Sequence, residues 1–209
     1  MIKWEPTSLA ESVYSELRNK IISENLKPGD RLKEQAISEE MGVSRTPIRD
    51  AIKRLADERL VEIVPRCGAR VIPIQKDDVE QLYDVLLNLE EQAIRGALLH
   101  AKSADISKLR TALVKLRGLT GLENIVEADV AFHGIICDIC DNEILTPLFD
   151  YAVDRGLRYR REYFKKLDNP AELVKTYGDF IDAMEQGDET LAVITMKRFL
   201  REQQKVILA

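Results

Sequence analysis

The sequence contains few of the residues on which disulfide-linked secreted proteins and many enzymes depend. Among 209 residues there are three cysteines, two histidines and one tryptophan. An odd, small number of cysteines argues against a disulfide framework and for a reducing cytoplasm. Two histidines limit histidine-based catalysis and metal binding. Apolar runs stay well short of the ~20 residues of a membrane span, and the first residues lack the basic-then-apolar order of a signal peptide, so we expect no membrane partner.

Charge is distributed unevenly along the chain, whose formal net charge is −5. Residues 1–74 contain 13 Lys/Arg and 12 Asp/Glu, whereas residues 75–209 contain 18 and 24. Within 43–70 there are seven basic and four acidic residues. This asymmetry predicts two domains, 1–74 and 75–209, with different partners, and the local excess of cations indicates an anionic partner for the first.

Residues 1–74 show the pattern of three helices. An apolar stripe predicts a first helix over about 8–25, formed by Leu9, Val13, Leu17 and Ile21. A short helix over about 33–41 is closed by Gly42, and a third helix begins after Ser44, a favourable N-cap. The apolar stripe of this third helix consists of Ile48, Ala51, Ile52 and Leu55. The short turn between the last two helices is that of a helix-turn-helix.

A β-hairpin follows these helices in the pattern. The β-branched runs LVEIV and ARVIPI flank PRCG, which places Gly68 at the turn. The fold predicted for residues 1–74 is therefore a winged helix-turn-helix with three helices and a β-hairpin wing. Arg66 and Gly68 lie at the predicted wing tip, where a small residue permits close approach to a DNA backbone or minor groove.

The third helix carries a second stripe, made of cations that a core cannot use. Arg45, Arg49 and Lys53 recur at i, i+4 and i+8. The N-terminal residues of such a helix contact base edges, and a guanidinium binds guanine or phosphate. Ser44 and Thr46 are placed to donate to phosphates. The alternative is a solvated helix face with no ligand, and the spacing alone leaves both interpretations open.

The segment PGDRLKEQAISEEMGVSRTPIRDAIKRLADERLVEIVPRCGARVIPI resembles the N-terminal domain of GntR-type bacterial transcription regulators, over about residues 8–74. The resemblance implies that Arg45, Thr46 and Arg49 touch operator DNA, with Gly68 at the wing tip. A position in the short helix that is often arginine in this family is Gln35 here. Arg31 or Lys33 is the candidate to replace that contact.

Residues 75–209 read as an all-α domain of about six helices, beginning with a long helix over 76–100. The order and spacing resemble the FCD domain that is fused to this type of winged helix. The resemblance is carried by Asp129-x-x-x-His133, Asn142, Leu145 and the segment AMEQGD. It implies a small-molecule effector, often a carboxylate, bound between the helices. The same domain is the expected dimerisation unit of a homodimer, because a winged helix has little apolar surface to spare.

Many FCD domains hold a divalent metal with one aspartate and three histidines. Asp129 and His133 match two of these positions, whereas Tyr177 and Phe199 occupy the other two. Leu86 replaces an arginine common on the first helix of the domain. These departures imply a domain without a tightly bound metal or other cofactor, in which all four residues belong to the effector site. The alternative is a metal-dependent sensor that uses Asp129 and His133 with non-standard further ligands.

Two further features have both a structural and a functional interpretation. Cys137 and Cys140 form C-x-x-C within a continuous helical pattern, which favours buried thiols over a metal or redox site. The cluster RGLRYRREYFKK, residues 155–166, is a solvated helix face by default. The sharper hypothesis is that Arg155 or Arg158 points into the effector cavity and binds an anion.

The sequence as a whole predicts a DNA-binding transcription regulator, expected to be a repressor, that acts as a cytoplasmic homodimer on a two-fold double-stranded operator. A small-molecule effector, with organic acids among the candidates, is expected to control it. The other class considered is an enzyme built on the helical domain. Against it, the sequence shows no nucleophile–base pair, no phosphate-binding glycine loop and no paired catalytic carboxylates. A DNA mobility shift with a salt titration distinguishes the two.

Overall fold

The structure is a computed structural model that describes residues 9–65, 68–167 and 170–209. The chain divides into two compact units, with the division between Ile74 and Gln75. The helices and strands are, in order, α1 (Leu9–Ile22), β1 (Arg31–Leu32), α2 (Glu34–Met41), α3 (Arg45–Asp57), β2 (Val61–Val64), β3 (Gly68–Val71), α4 (Lys76–His100), α5 (Ser103–Arg117), α6 (Leu122–Cys140), α7 (Leu145–Lys166), α8 (Pro170–Gln186) and α9 (Glu189–Leu208). Arg66, placed by the sequence at the wing tip, lies outside the described residues.

Helices α1 and α3 pack on each other and form most of the N-terminal core. The apolar stripe of α3 is buried as the sequence predicts, with Ile48, Ala51, Ile52 and Leu55 at most 5% exposed. The stripe of α1 is shorter than predicted. Leu9, its first member, is 54% exposed because it begins the helix, and the core starts one turn later at Val13. The helix also stops at Ile22, followed by Glu24 in a left-handed conformation.

The turn between α2 and α3 is set by Gly42, whose φ of 66° is left-handed. Its N–H donates to the Ser38 carbonyl, and the Ser38 hydroxyl donates to the carbonyl of Val43 at 2.6 Å. Ser44 occupies the N-cap position of α3 with an extended backbone, but its side chain makes no capping hydrogen bond. Ser44 is therefore the N-cap residue, as the sequence predicts, but its hydroxyl does not cap the helix.

The wing is part of a three-stranded antiparallel sheet with strand order β1-β3-β2. The predicted β2–β3 hairpin is present, and the sequence analysis missed β1, which pairs Arg31 with Arg70 and Leu32 with Ala69. Gly68 has a φ of 89°, and a Cβ atom there would lie 2.3 Å from the Leu32 carbonyl oxygen. Packing against β1 therefore requires glycine at this position, whatever the wing contacts outside the chain.

The C-terminal unit is all-α in its described residues, and α4–α9 enclose one core. Helix α4 packs on α6, α7 and α9, while α5 packs on α6 and α8. At Gly96 a Cβ atom would lie 2.3 Å from Cys140 Sγ, so the missing side chain is what lets α4 and α6 approach closely. In the described part of the chain, no helix is long and apolar enough to cross a membrane.

Candidate functional site

The exposed face of α3 lies opposite its buried stripe and carries the residues predicted to contact DNA. Arg45, Thr46 and Arg49 are exposed, and so is Ser44 at the N-cap position. The first backbone N–H groups of a helix lack internal partners and favour anions. The arrangement can therefore present two guanidinium groups, two hydroxyls and a helix N-terminus to a phosphate backbone and to base edges.

The two arginines of this face differ in what holds them. Arg49 Nε donates to Glu34 Oε2 on α2 at 2.7 Å. Within the described residues, the Arg45 side chain has neither a hydrogen bond nor an ion pair. The Arg49 guanidinium is thus held in place before any ligand binds, and that of Arg45 is not. The Glu34 contact was not predicted, because it joins residues on two different helices whose packing the sequence pattern does not show.

The other predicted DNA-contacting residues of this unit lie on neighbouring elements. Arg31 is an exposed residue of β1, and Lys33 is exposed at the N-cap position of α2. Gln35, which stands where relatives often have arginine, is exposed and donates through Nε2 to Glu39 Oε1 at 3.0 Å. Gly68 begins β3. Since Arg31 and Lys33 are both exposed, the side chain of each is accessible to DNA.

In the C-terminal unit, the four residues predicted for the effector site come together in the core. Asp129, His133 and Tyr177 are fully buried and Phe199 is 6% exposed. The Tyr177 hydroxyl donates to Asp129 Oδ1 and lies 3.3 Å from His133 Nε2. The Phe199 ring stacks on the His133 ring with centroids 6.3 Å apart.

Two charged residues that the sequence analysis did not select complete this cluster. Arg160 on α7 donates through Nη1 to Asp129 Oδ2, and Glu90 on α4 lies 2.9 Å from His133 Nδ1. Arg160 and Glu90 are each 1% exposed. We name Asp129, His133, Tyr177, Arg160 and Glu90 the buried polar cluster.

The helical periodicity of the sequence marks both Arg160 and Glu90 as buried. Arg160 continues the buried stripe Phe149, Val153 and Gly156 at i, i+4, i+7 and i+11. Glu90 follows Tyr83 by seven residues in the buried stripe of α4. A charged residue at a position where the periodicity requires an apolar one indicates a buried, paired charge.

The basic cluster of α7 is divided between several environments. Arg158 is 7% exposed and Arg155 is half-buried. The guanidinium that reaches Asp129 belongs instead to Arg160, which lies about 200° around the helix from Arg158. A cation of this cluster therefore does reach Asp129, but it is Arg160 and not Arg155 or Arg158.

Buried donors without acceptors adjoin the cluster. Arg160 Nε and Nη2 and Gln203 Nε2 are buried and have no hydrogen-bond partner among the residues that the structure describes. Gln203 on α9 uses its Oε1 to accept from the Tyr83 hydroxyl at 3.2 Å. Burial raises the pKa of the Tyr83 phenol, and the nearby charge of Arg160 acts in the opposite direction. Buried donors are rarely left unpaired in proteins, since the loss of hydration costs free energy.

The electrostatics fix which groups carry charge. Burial raises the pKa of Tyr177 well above its usual value, and the charge of Asp129 and its hydrogen bond act in the same direction. Tyr177 therefore keeps its proton and donates a hydrogen bond to the carboxylate. For Arg160, burial acts to lower the pKa, but the Asp129 carboxylate raises it and the net shift is upward. A buried phenol, that of Tyr177, and a buried guanidinium, that of Arg160, thus both donate to the Asp129 carboxylate.

The metal of related domains does not fit these residues. Tyr177 and Arg160 engage both oxygens of Asp129, and a cation near this carboxylate would meet the guanidinium charge. Asp129 Oδ1 and His133 Nε2, the two atoms that would ligate the ion, are 3.8 Å apart, and the Tyr177 hydroxyl already contacts both. Among the described residues, no group of three or more His, Cys, Asp or Glu could hold a metal ion.

The two cysteines of the C-x-x-C segment are free and buried. Burial raises the pKa of the Cys137 thiol and, to a smaller extent, that of Cys140. A thiol with a raised pKa is a weak nucleophile and a weak metal ligand at neutral pH, because the thiolate is the reactive form. Both side chains belong to the hydrophobic core of the C-terminal unit.

Comparison with known proteins assigns both units of the chain to known domain families. The model for bacterial regulatory proteins of the gntR family matches residues 9–71, and the FCD domain model matches residues 81–202. An HTH-type transcriptional regulator from an unstable DNA locus of Streptomyces ambofaciens is 30% identical over 193 residues, covering 90% of this chain and 80% of that protein. The gluconate operon transcriptional repressor of Bacillus subtilis is 27% identical, covering 93% and 79%.

A solved structure shares the fold. Escherichia coli McbR/YncC superposes with a TM-score of 0.72 at 22% identity, covering 97% of this chain and 98% of that one. At this identity the likeness concerns the fold alone. The family models and the curated relatives concern the sequence itself and span both units. The chain therefore belongs to the GntR family of bacterial transcription regulators, with an FCD effector domain that follows the winged helix in sequence.

Proposed function

We propose that this regulator is a cytoplasmic homodimeric repressor that leaves its operator when an organic anion binds beside Arg160. The relatives it matches are transcription regulators, and one of them is a repressor of the gluconate operon. We assign no enzymatic activity to the helical unit, whose buried polar cluster pairs its own charges and offers no exposed nucleophile. DNA binding belongs to α3, and effector control to the FCD domain.

The observation that carries the effector class is the set of unpaired donors at Arg160 and Gln203. Arg160 uses Nη1 for Asp129, so that Nε and Nη2 form a free edge of the guanidinium. That edge matches the two oxygens of a carboxylate and binds it bidentately. Gln203 Nε2 adds a neutral donor of the kind that binds a hydroxyl or carboxylate oxygen. A small hydroxy acid or related carboxylate supplies these acceptors.

The homodimer is supported by an apolar surface at the start of α7. Ile144, Leu148 and Tyr151 follow one another at i, i+4 and i+7 and are 76%, 54% and 67% exposed. A second copy of the chain is the occupant that a two-fold operator requires, because one winged helix reads only one half-site.

A thermal-shift and DNA-release assay tests this function. The full-length protein is screened with monocarboxylates and hydroxy acids, gluconate among them, and with the matching neutral alcohols or amides as controls. Binding to the native state raises the melting temperature, and the same compound should release a selected operator duplex. Gln203→Leu should weaken the shift while the protein stays folded. A family of neutral or cationic ligands that shifts the protein while no carboxylate does would contradict the anion assignment.

A further inference from the structure

The contact between Glu34 and Arg49 joins the two helices of the helix-turn-helix. Glu34 is the first residue of α2, and its carboxylate accepts from Arg49 Nε at 2.7 Å. The backbones at both ends are fixed, since Ile37 of α2 and Ile48 of α3 lie in one core and Gly42 sets the turn between the helices. The Cα atoms of Glu34 and Arg49 therefore keep a fixed separation, which their side chains span through the 2.7 Å contact.

The geometry leaves the outer end of the guanidinium available. Arg49 is 59% exposed and Glu34 26% exposed, so the carboxylate lies deeper than the side chain it holds. In the described residues, Nε is the only side-chain nitrogen of Arg49 with a hydrogen bond. Nη1 and Nη2 form the pair of donors that binds guanine O6 and N7, or two phosphate oxygens.

We propose that Glu34 is the positioning residue for operator reading by Arg49, fixing the guanidinium through Nε so that Nη1 and Nη2 meet the DNA in one orientation. This inference rests on the proposed role of α3 as the recognition helix. Holding the side chain before binding removes part of the ordering cost that a long, mobile arginine otherwise has at an interface. Arg45, which has no such partner in the described residues, bears that cost in full.

The sign of the effect separates this role from a passive one. A carboxylate near DNA repels phosphates, so the removal of a bystander charge tightens binding to every sequence, most at low salt. The removal of a positioning carboxylate loosens binding to the operator and reduces discrimination between bases. The two roles therefore change operator affinity in opposite directions.

The test uses the full-length protein and a duplex selected by it from a random library, beside the same duplex with one base pair changed in each half-site. We compare Glu34→Ala, Glu34→Gln, Arg49→Ala and the double variant Glu34→Ala/Arg49→Ala. Glu40→Ala is the matched control, because Glu40 is an exposed acid of the same helix that pairs with Lys20 instead. Circular dichroism melts confirm that each variant is folded.

Glu34→Ala should weaken operator binding about fivefold and lower discrimination against the altered duplex, a usual size for coupling between contacting residues. Glu34→Gln should stay near the wild type, since its amide oxygen still accepts from Nε. In the Arg49→Ala background, Glu34→Ala should weaken binding no further. Glu40→Ala should keep full discrimination.

Operator binding by Glu34→Ala as tight as the wild type or tighter, with Arg49→Ala still impaired, would overturn the positioning role and leave the recognition helix intact. Full operator binding by Arg49→Ala would overturn the positioning role together with the proposed contact of Arg49. A loss for Glu34→Ala that persists undiminished in the Arg49→Ala background would assign Glu34 to another partner and also overturn it.

Discussion

Arg160 and Asp129 form a salt bridge in the core of the C-terminal unit, where the two side chains are 2% and 0% exposed. The helices that carry them, α7 and α6, are 31 residues apart at these positions. The guanidinium balances a carboxylate that also accepts from Tyr177. It is thus a buried cation that contacts Asp129, one of the two residues for which the resemblance to FCD domains implies a metal-ligand role.

Breaking this pair from one side should strongly destabilise the fold. Asp129→Leu leaves the Arg160 charge buried without its carboxylate, and we expect a loss of about 3–5 kcal/mol in the free energy of unfolding. The double variant Asp129→Leu/Arg160→Met removes both charges and should be more stable than Asp129→Leu alone. Urea unfolding measures both. Equal stability of Asp129→Leu and the wild type would contradict the buried pair.

Alkaline pH should destabilise the protein through its tyrosines. The pKa of Tyr163 is raised to about 12 by burial, and that of Tyr177 is raised well above the usual 10. Above pH 10 the unfolded chain releases these protons while the folded chain retains them, so stability falls as pH rises toward the folded pKa. Each such group contributes a slope of about 1.4 kcal/mol per pH unit. Below about pH 9 both tyrosines are protonated in the folded and the unfolded chain, so neither makes stability depend on pH.

Tyr177→Phe isolates one of these protons. Its urea midpoint, followed from pH 8 to 11.5, should fall less steeply than that of the wild type, although the variant starts less stable because Asp129 loses a donor. Parallel curves for the two proteins would show that Tyr177 titrates normally.

The sequence was sufficient for elements with a strong repeat. Ile48, Ala51, Ile52 and Leu55 are buried as their spacing predicts, and α4 spans the predicted 76–100. It was insufficient for β1, because two residues carry no periodicity and that strand exists only by pairing with β3. It also missed Glu90 and Arg160, since a charged side chain is assigned to the surface unless its partner on another helix is known.

The proposed dimer surface gives a prediction about assembly. Leu148→Glu places a charge within the exposed apolar stripe of α7 and should convert the dimer to a monomer with weaker operator binding. Val114→Glu is the matched control, because Val114 is 65% exposed on α5, outside that surface. Sedimentation velocity measures the state of each. A Leu148→Glu protein that remains dimeric would place the interface elsewhere.

Metal content tests the substitution of Arg160 for a metal ion. Protein purified without a chelator and without a polyhistidine tag should contain far less than one equivalent of zinc, nickel or manganese. Adding these ions should barely change the melting temperature, because a ligand that binds the native state tightly stabilises it. Stoichiometric metal that is lost in both Asp129→Ala and His133→Ala would contradict this prediction.

The central claim is tested most directly by the affinity of the full-length protein for a selected operator duplex and for a scrambled duplex across a salt series. We expect tight, sequence-dependent binding by the wild type, and a loss of about 1–3 kcal/mol for Arg45→Ala and for Arg49→Ala on the operator. A residue that reads a base loses discrimination, whereas one that binds phosphate loses affinity on both duplexes with a shallower salt slope. Operator binding that is unchanged in both variants, or equal wild-type affinity for the two duplexes, would contradict the account.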